Sequence, residues 1–194
     1  MAVAAGLFAL LMVPWRAAAI QYGSGTYSAC QYGSCSVSIT TSSSVGISLT
    51  PSPTGSCSIQ KDQVSVFTDN SNGFSLTLAD SGTDTSLKSG AHGITASAGT
   101  LSSPVTLAIN HWGYRVDGAG GFGSGPTSAQ TDVSSSSLSF AGVPASNATA
   151  DTLADTDAAA DPAVVTSVWY GVCADTAVAS GTYSTQVTYT AVAN

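Results

Sequence analysis

Apolar and hydroxyl side chains alternate along much of this chain, and that period of two dictates extended backbone. Cys35, Val37 and Ile39 interleave with Ser36, Ser38 and Thr40; Val45, Ile47 and Leu49 with Gly46 and Ser48; Phe74, Leu76 and Leu78 with Ser75, Thr77 and Ala79. Leu101, Val105, Leu107 and Ile109 share one parity, and so do Tyr183, Val187 and Tyr189. A strand with one face buried and one in water reads this way. From Val164 to Cys173 both parities carry apolar residues, which predicts a central strand. Turn chemistry separates the runs: PSPTGS at 51–56, DNSNG at 69–73, DSGTD at 80–84 and a glycine-rich stretch at 118–125. Short strands at regular spacing with such turns predict an all-β chain, a single antiparallel, immunoglobulin-like β-sandwich. The acidic segment 141–163 breaks the pattern, and is expected to be a long loop or a short helix starting near Asp151.

Composition supports the strand reading and narrows the partners. Only 8% of residues are charged, the eleven acids are all aspartate, and Lys and Arg together number four. Helix-favouring surface residues are therefore scarce. The formal charge is −7 and the sequence pI about 4.2. Such a surface repels phosphate backbones and anionic membranes, so no nucleic-acid partner is expected.

The first nineteen residues, MAVAAGLFALLMVPWRAAA, have an apolar run followed by Ala17, Ala18 and Ala19. This is the shape of a secretory signal peptide, and the run is too short to span a bilayer. The expected organisation is a signal at 1–19 and one β-sandwich surface domain at 20–194, peripheral to the membrane rather than spanning it. Four cysteines follow the signal: Cys30, Cys35, Cys57 and Cys173. An even count in an exported chain predicts two disulfides. The short QYGS between Cys30 and Cys35 suits a local bridge, leaving Cys57 for Cys173. Cys35 with Cys57 is the rival pairing, since both sit on apolar faces. No C-x-x-C pair is present to suggest zinc.

Few residues carry chemistry. Gly118, Gly120 and Gly123 match G-x-G-x-x-G, but Pro126 and a Ser/Thr cluster follow where a helix is needed. No nucleophile elbow and no H-E-x-x-H occur, and His92 and His111 are the sole histidines. The expectation is a protein that is not an enzyme and uses no cofactor. Asp151, Asp155, Asp157 and Asp161 are a candidate calcium loop, with a solvated acidic loop as the plain alternative. Asn147-Ala148-Thr149 is a glycosylation sequon, common by chance in a Ser/Thr-rich chain. The stretch LAINHWGYRVDGAGGFGSGP, 107–126, admits two readings. In one, Trp112 and Tyr114 stack on a sugar or peptide while His111 and Arg115 hydrogen-bond to it. In the other, a strand from Leu107 to Val116 buries its aromatics and ends in a glycine-rich turn. A bulge at Asn110 or Gly113 would then bring the two parities into register.

Three stretches carry a family resemblance: YGSGTYSACQYGSCSVSI, NHWGYRVDGAGGFG and VWYGVCADTAVASGTYSTQVTYTAVAN. Together they resemble small secreted β-sandwich surface proteins of host-associated bacteria with reduced genomes. More distantly the chain is similar to WxL-type cell-wall domains, although Trp112 and Trp169 are not followed by the x-Leu of that motif. The resemblance implies a secreted or cell-surface protein, structural or adhesive. Its partners would be a cell-wall polymer, a glycan or other surface proteins. With no sorting motif or hydrophobic tail after Asn194, attachment is expected to be non-covalent or through assembly with other subunits. The alternatives are a carbohydrate-binding module using Trp112 and Tyr114, and a pilin-like subunit exchanging its terminal run Thr182 to Val192.

Overall fold

The computed structural model describes residues 35–42, 44–134 and 137–194; the expected signal peptide and Cys30 lie outside them. The described residues form strands and no helix. In chain order these are β1 (Val37–Thr40), β2 (Ser56–Thr68), β3 (Phe74–Asp80), β4 (Leu87–Ser89), β5 (His92–Ala96) and β6 (Val105–Thr106). They are followed by β7 (His111–Val116), β8 (Gln130–Val133), β9 (Ser139–Phe140), β10 (Asp151–Asp155), β11 (Ala160–Ala174) and β12 (Val187–Ala193). The all-β reading is borne out.

A seven-stranded sheet runs β1-β2-β11-β7-β5-β4, with β8 also on β2; a second sheet runs β10-β3-β12, and β6 with β9 makes a two-stranded ribbon. The large sheet is mixed, because β5 runs parallel to β7. Strand β11 is the centre of this sheet, antiparallel to β2 on one side and to β7 on the other. That confirms the central strand expected from Val164 to Cys173, although Val164 and Val165 at its start remain exposed.

Both faces of this centre are covered. On one face Val64, Val66, Tyr114, Trp112, Val168, Tyr170 and Val172 pack with Phe74, Leu76 and Leu78 of the three-stranded sheet. On the other, Cys57, Ile59, Trp169 and Cys173 pack with Leu107 and Phe140. Two glycines admit that second layer. Gly113 faces Gly171 across β7 and β11. A Cβ on Gly171 would stand 2.6 and 2.7 Å from two carbons of the buried Phe140 ring, and one on Gly113 would stand 3.2 Å from the Phe140 Cβ. A side chain at Gly171 would fill the space the Phe140 ring needs, and one at Gly113 would run into the Ala141 carbonyl at 2.5 Å.

Several sequence expectations are corrected. The run 101–109 forms only the two-residue β6, with Val105 exposed, because Thr100 and Ser103 close a turn on each other through reciprocal backbone hydrogen bonds of 3.1 Å. The segment 141–163 is neither loop throughout nor helix: it supplies β10 and the start of β11. Leu153 anchors β10 in the core. Tyr183 lies before β12 rather than on it. Residues 44–50 alternate in burial as a strand would, yet belong to no ladder.

Candidate functional site

The glycine-rich stretch proves to be a corner of the fold. Strand β7 starts at His111, after Asn110 takes a left-handed φ of 62°. Asn110 is held there by a reciprocal pair: its Nδ2 donates to Asp175 Oδ1 at 3.1 Å, and the Asp175 N–H donates to its Oδ1 at 3.0 Å. Trp112 is 3% exposed and Tyr114 0%. The Trp112 indole N–H donates to Thr85 O at 2.9 Å, and the Tyr114 hydroxyl to Asp151 at 2.5 Å. Burial, with Asp151 second, pushes the Tyr114 phenol well above its ordinary value. The two sets never need a common register, because Leu107 and Ile109, before β7, pack in one core layer and Trp112 and Tyr114 in the other.

Arg115 is 1% exposed and organises the turn that follows it. Its guanidinium donates to Phe122 O and Ser124 O, both at 2.9 Å, and stands 3.6 Å from Asp117. Asp117 also accepts the indole N–H of Trp169 at 3.0 Å. Desolvation pulls the Arg115 pKa below its ordinary value, opposed by Asp117. His111 donates its ring Nδ1 to Ile109 O at 2.9 Å. The platform expected of Trp112, Tyr114 and Arg115 does not fit their burial: the aromatic faces a sugar would stack on are in the core, and the guanidinium is turned to the protein, while His111 is half-buried with Nδ1 bound to Ile109 O.

The aspartates 151, 155, 157 and 161 do not converge either. Asp151 faces Tyr114, Asp155 accepts from the Asn194 amide at 3.0 Å, and Asp161 opens the cis peptide to Pro162 in β11. Among the described residues no three acidic, histidine or cysteine side chains stand close enough to hold a metal ion. Strand pairing pulls these side chains apart, whereas a calcium loop would gather them.

Cys57 and Cys173 are disulfide-bonded and directly opposed across β2 and β11. This rules out Cys35 with Cys57. Cys35 is itself disulfide-bonded, and Cys30 lies outside the described residues.

The open concavity lies elsewhere. A groove of about 1260 Å³ opens over the main core, lined by Val45, Ile47, Leu49, Trp112, Tyr170 and Tyr189 among others. It arises because two strands share the outer edge of β2: β8 takes Cys57 and Ile59, and β1 takes Ser65 to Thr68. Between them the edge is open, and the chain after β1 peels away. Asp62 holds it as it leaves, accepting Thr41 Oγ1 at 2.5 Å, Ser42 Oγ at 2.6 Å and the Ser42 N–H at 3.2 Å.

Asp62 is 4% exposed and, among the described residues, is the one charged residue that lines the groove. Beside it Tyr170 and Tyr189 share a hydroxyl–hydroxyl bond of 2.7 Å. Both phenols are pushed above their ordinary value, mainly by burial and in part by the Asp62 charge. The sequence reading missed Asp62, yet its signal was there: it stands two residues before Val64 and four before Val66, in the inward slot of the same strand.

Comparison with protein families, curated proteins and solved structures finds no match to this chain. Function must be read from the groove, the disulfides and the edges themselves.

Proposed function

We propose that the chain is exported and works at the bacterial cell surface as a disulfide-stabilised structural or adhesive protein. In this reading the domain is an immunoglobulin-like, distantly WxL-like β-sandwich, held to the envelope non-covalently or assembled with other subunits. The observation that carries it is the Cys57–Cys173 bond between two central strands, in a chain where Cys35 is bonded as well. Structural disulfides persist in oxidising compartments and are rare in reducing ones. The two core layers sharing one central sheet support the sandwich.

The carbohydrate module built on Trp112 and Tyr114 is not carried forward, since both rings are core. The terminal run is a poor strand donor as it stands: β12 pairs with β3 from Val187 to Ala193 within its own sheet. Its outer edge stays free of a ladder partner among the described residues. The test is to shave intact producing cells with protease and to map disulfides in the recovered peptides without reduction. Protease-sensitive protein with Cys57 linked to Cys173 is the expected result. Protein confined to the cytoplasm with free thiols would overturn the reading.

A further inference from the structure

We propose that the groove beside Asp62 accepts an extended strand from a partner protein, one with apolar side chains at alternate positions and a lysine or arginine among them. This deepens the reading of the chain as a surface adhesive module by naming what it grips. Three independent features carry the inference.

The first is an idle ladder. Residues 44–49 are extended, and Val45, Ile47 and Leu49 turn toward the core while Ser44, Gly46 and Ser48 are exposed. Among the described residues none of the six makes a backbone hydrogen bond, and only Thr50 beyond them is tied, to Asp132 at 2.6 Å. A strand-like segment with unmet N–H and C=O groups is a template for another strand. Strand β12, whose Val187 and Tyr189 line the same groove, adds a second open edge.

The second is size and lining. About 1260 Å³ exceeds the roughly 300–1,000 Å³ of ordinary small-molecule sites. Its walls alternate apolar residues with hydroxyls, the pattern a strand would match.

The third is charge. Asp62 is buried and, among the described residues, receives only neutral donors, from Thr41, Ser42 and the Tyr189 hydroxyl. No cation among the described residues pairs with it, as the two ion pairs are Lys88–Asp84 and Arg115–Asp117. The groove thus carries a negative charge without a counter-charge, in a chain of net charge −7. A second copy of this chain would be repelled, whereas a cationic side chain would be drawn in.

The experiment uses the folded mature protein and a fluorescein-labelled peptide, Val-Thr-Val-Thr-Lys-Thr-Val-Thr-Val, read by anisotropy. The lysine peptide is expected to bind about tenfold more tightly than its glutamate counterpart, and Asp62→Asn to erase the difference. Two further peptides are N-methylated on alternate residues, one in each parity. A strand bonds along one edge through alternate N–H groups, so one parity is expected to lose binding by about tenfold and the other to keep it. These two are measured on the unaltered protein, so the inference stands or falls even if Asp62→Asn fails to fold.

Equal binding of lysine and glutamate peptides would overturn the charge assignment. Both methylated forms binding as tightly as the unmethylated peptide, or displacement by n-octylammonium alone, would make the groove a side-chain or amine site and sink the strand. No binding at millimolar peptide would overturn the inference outright. Surface exposure and disulfide mapping remain separate, so the acceptor can fail while the exported surface role stands.

Discussion

Gly171 and Arg115 show how single residues hold the two layers of this molecule together. Gly171 lets Phe140 lie on the central strands, and a methyl there would meet the ring at 2.6 Å. Gly171→Ala is expected to destabilise by about 1–3 kcal/mol, the range for overpacking a filled core. Gly46→Ala is the matched control, since nothing lies within 4 Å of a Cβ at Gly46. It should shift the midpoint of urea unfolding by less than about 0.5 kcal/mol equivalent. Arg115 acts by polar means. Arg115→Met would keep most of the side-chain volume but remove the donors to Phe122 O and Ser124 O. The buried Phe122 carbonyl left without a partner should cost about 1–3 kcal/mol, seen in the same unfolding measurement. The loss should be accompanied by faster hydrogen exchange across 118–125, because the turn has lost its internal clamp.

At the scale of elements, β2 and β11 form the spine, and the Cys57–Cys173 bond fastens them over a sequence separation of 116. Crosslinking so long a loop restricts the unfolded chain by roughly 4–5 kcal/mol in the chain-entropy account. The double variant Cys57→Ala/Cys173→Ala is expected to lose a comparable amount, checked by denaturant unfolding under oxidising conditions. The spine was only half legible in the sequence. Strand β11 announces itself because both its parities are apolar. Strand β2 hides, because Gln60, Lys61, Asp62 and Gln63 interrupt the apolar alternation with four polar residues. The site hides with it: the residue that breaks the pattern, Asp62, is the one that gives the groove its charge. Strand β10 was unreadable for a related reason. Its acidic, Ala- and Thr-rich sequence has one buried anchor, Leu153, and its place is set by pairing with β3 rather than by its own periodicity. The idle segment 44–50 errs the other way. Val45, Ile47 and Leu49 supply the alternation of a strand, but alternation records burial of one face and says nothing about who bonds the edge.

Across the whole molecule, three buried or half-buried phenols govern how the fold responds to alkali. Burial raises Tyr114, Tyr170 and Tyr189 above the ordinary value of 10.0. Their neutral forms are held by Asp151 for Tyr114 and by the Tyr170–Tyr189 pair near Asp62. The sign follows from linkage. In the unfolded chain each phenol releases its proton near pH 10, whereas in the folded chain it does so only at higher pH. Their contribution to stability is therefore fully present below pH 10 and is lost as pH rises from there toward the folded values. The protein should hold its structure through neutral and mildly alkaline pH, then unfold cooperatively above pH 10 as three phenols ionise together. Absorbance at 295 nm and far-ultraviolet circular dichroism, followed in one titration, test this. These phenolates should appear in step with the loss of strand signal. Tyr170→Phe removes one of the three phenols and a group that raises Tyr189, so the loss of stability per pH unit above pH 10 should become shallower. Phenolate absorbance completed while the strand signal is intact would mean that the three rings are open to water, and the groove floor would then be far wetter than the buried Asp62 requires.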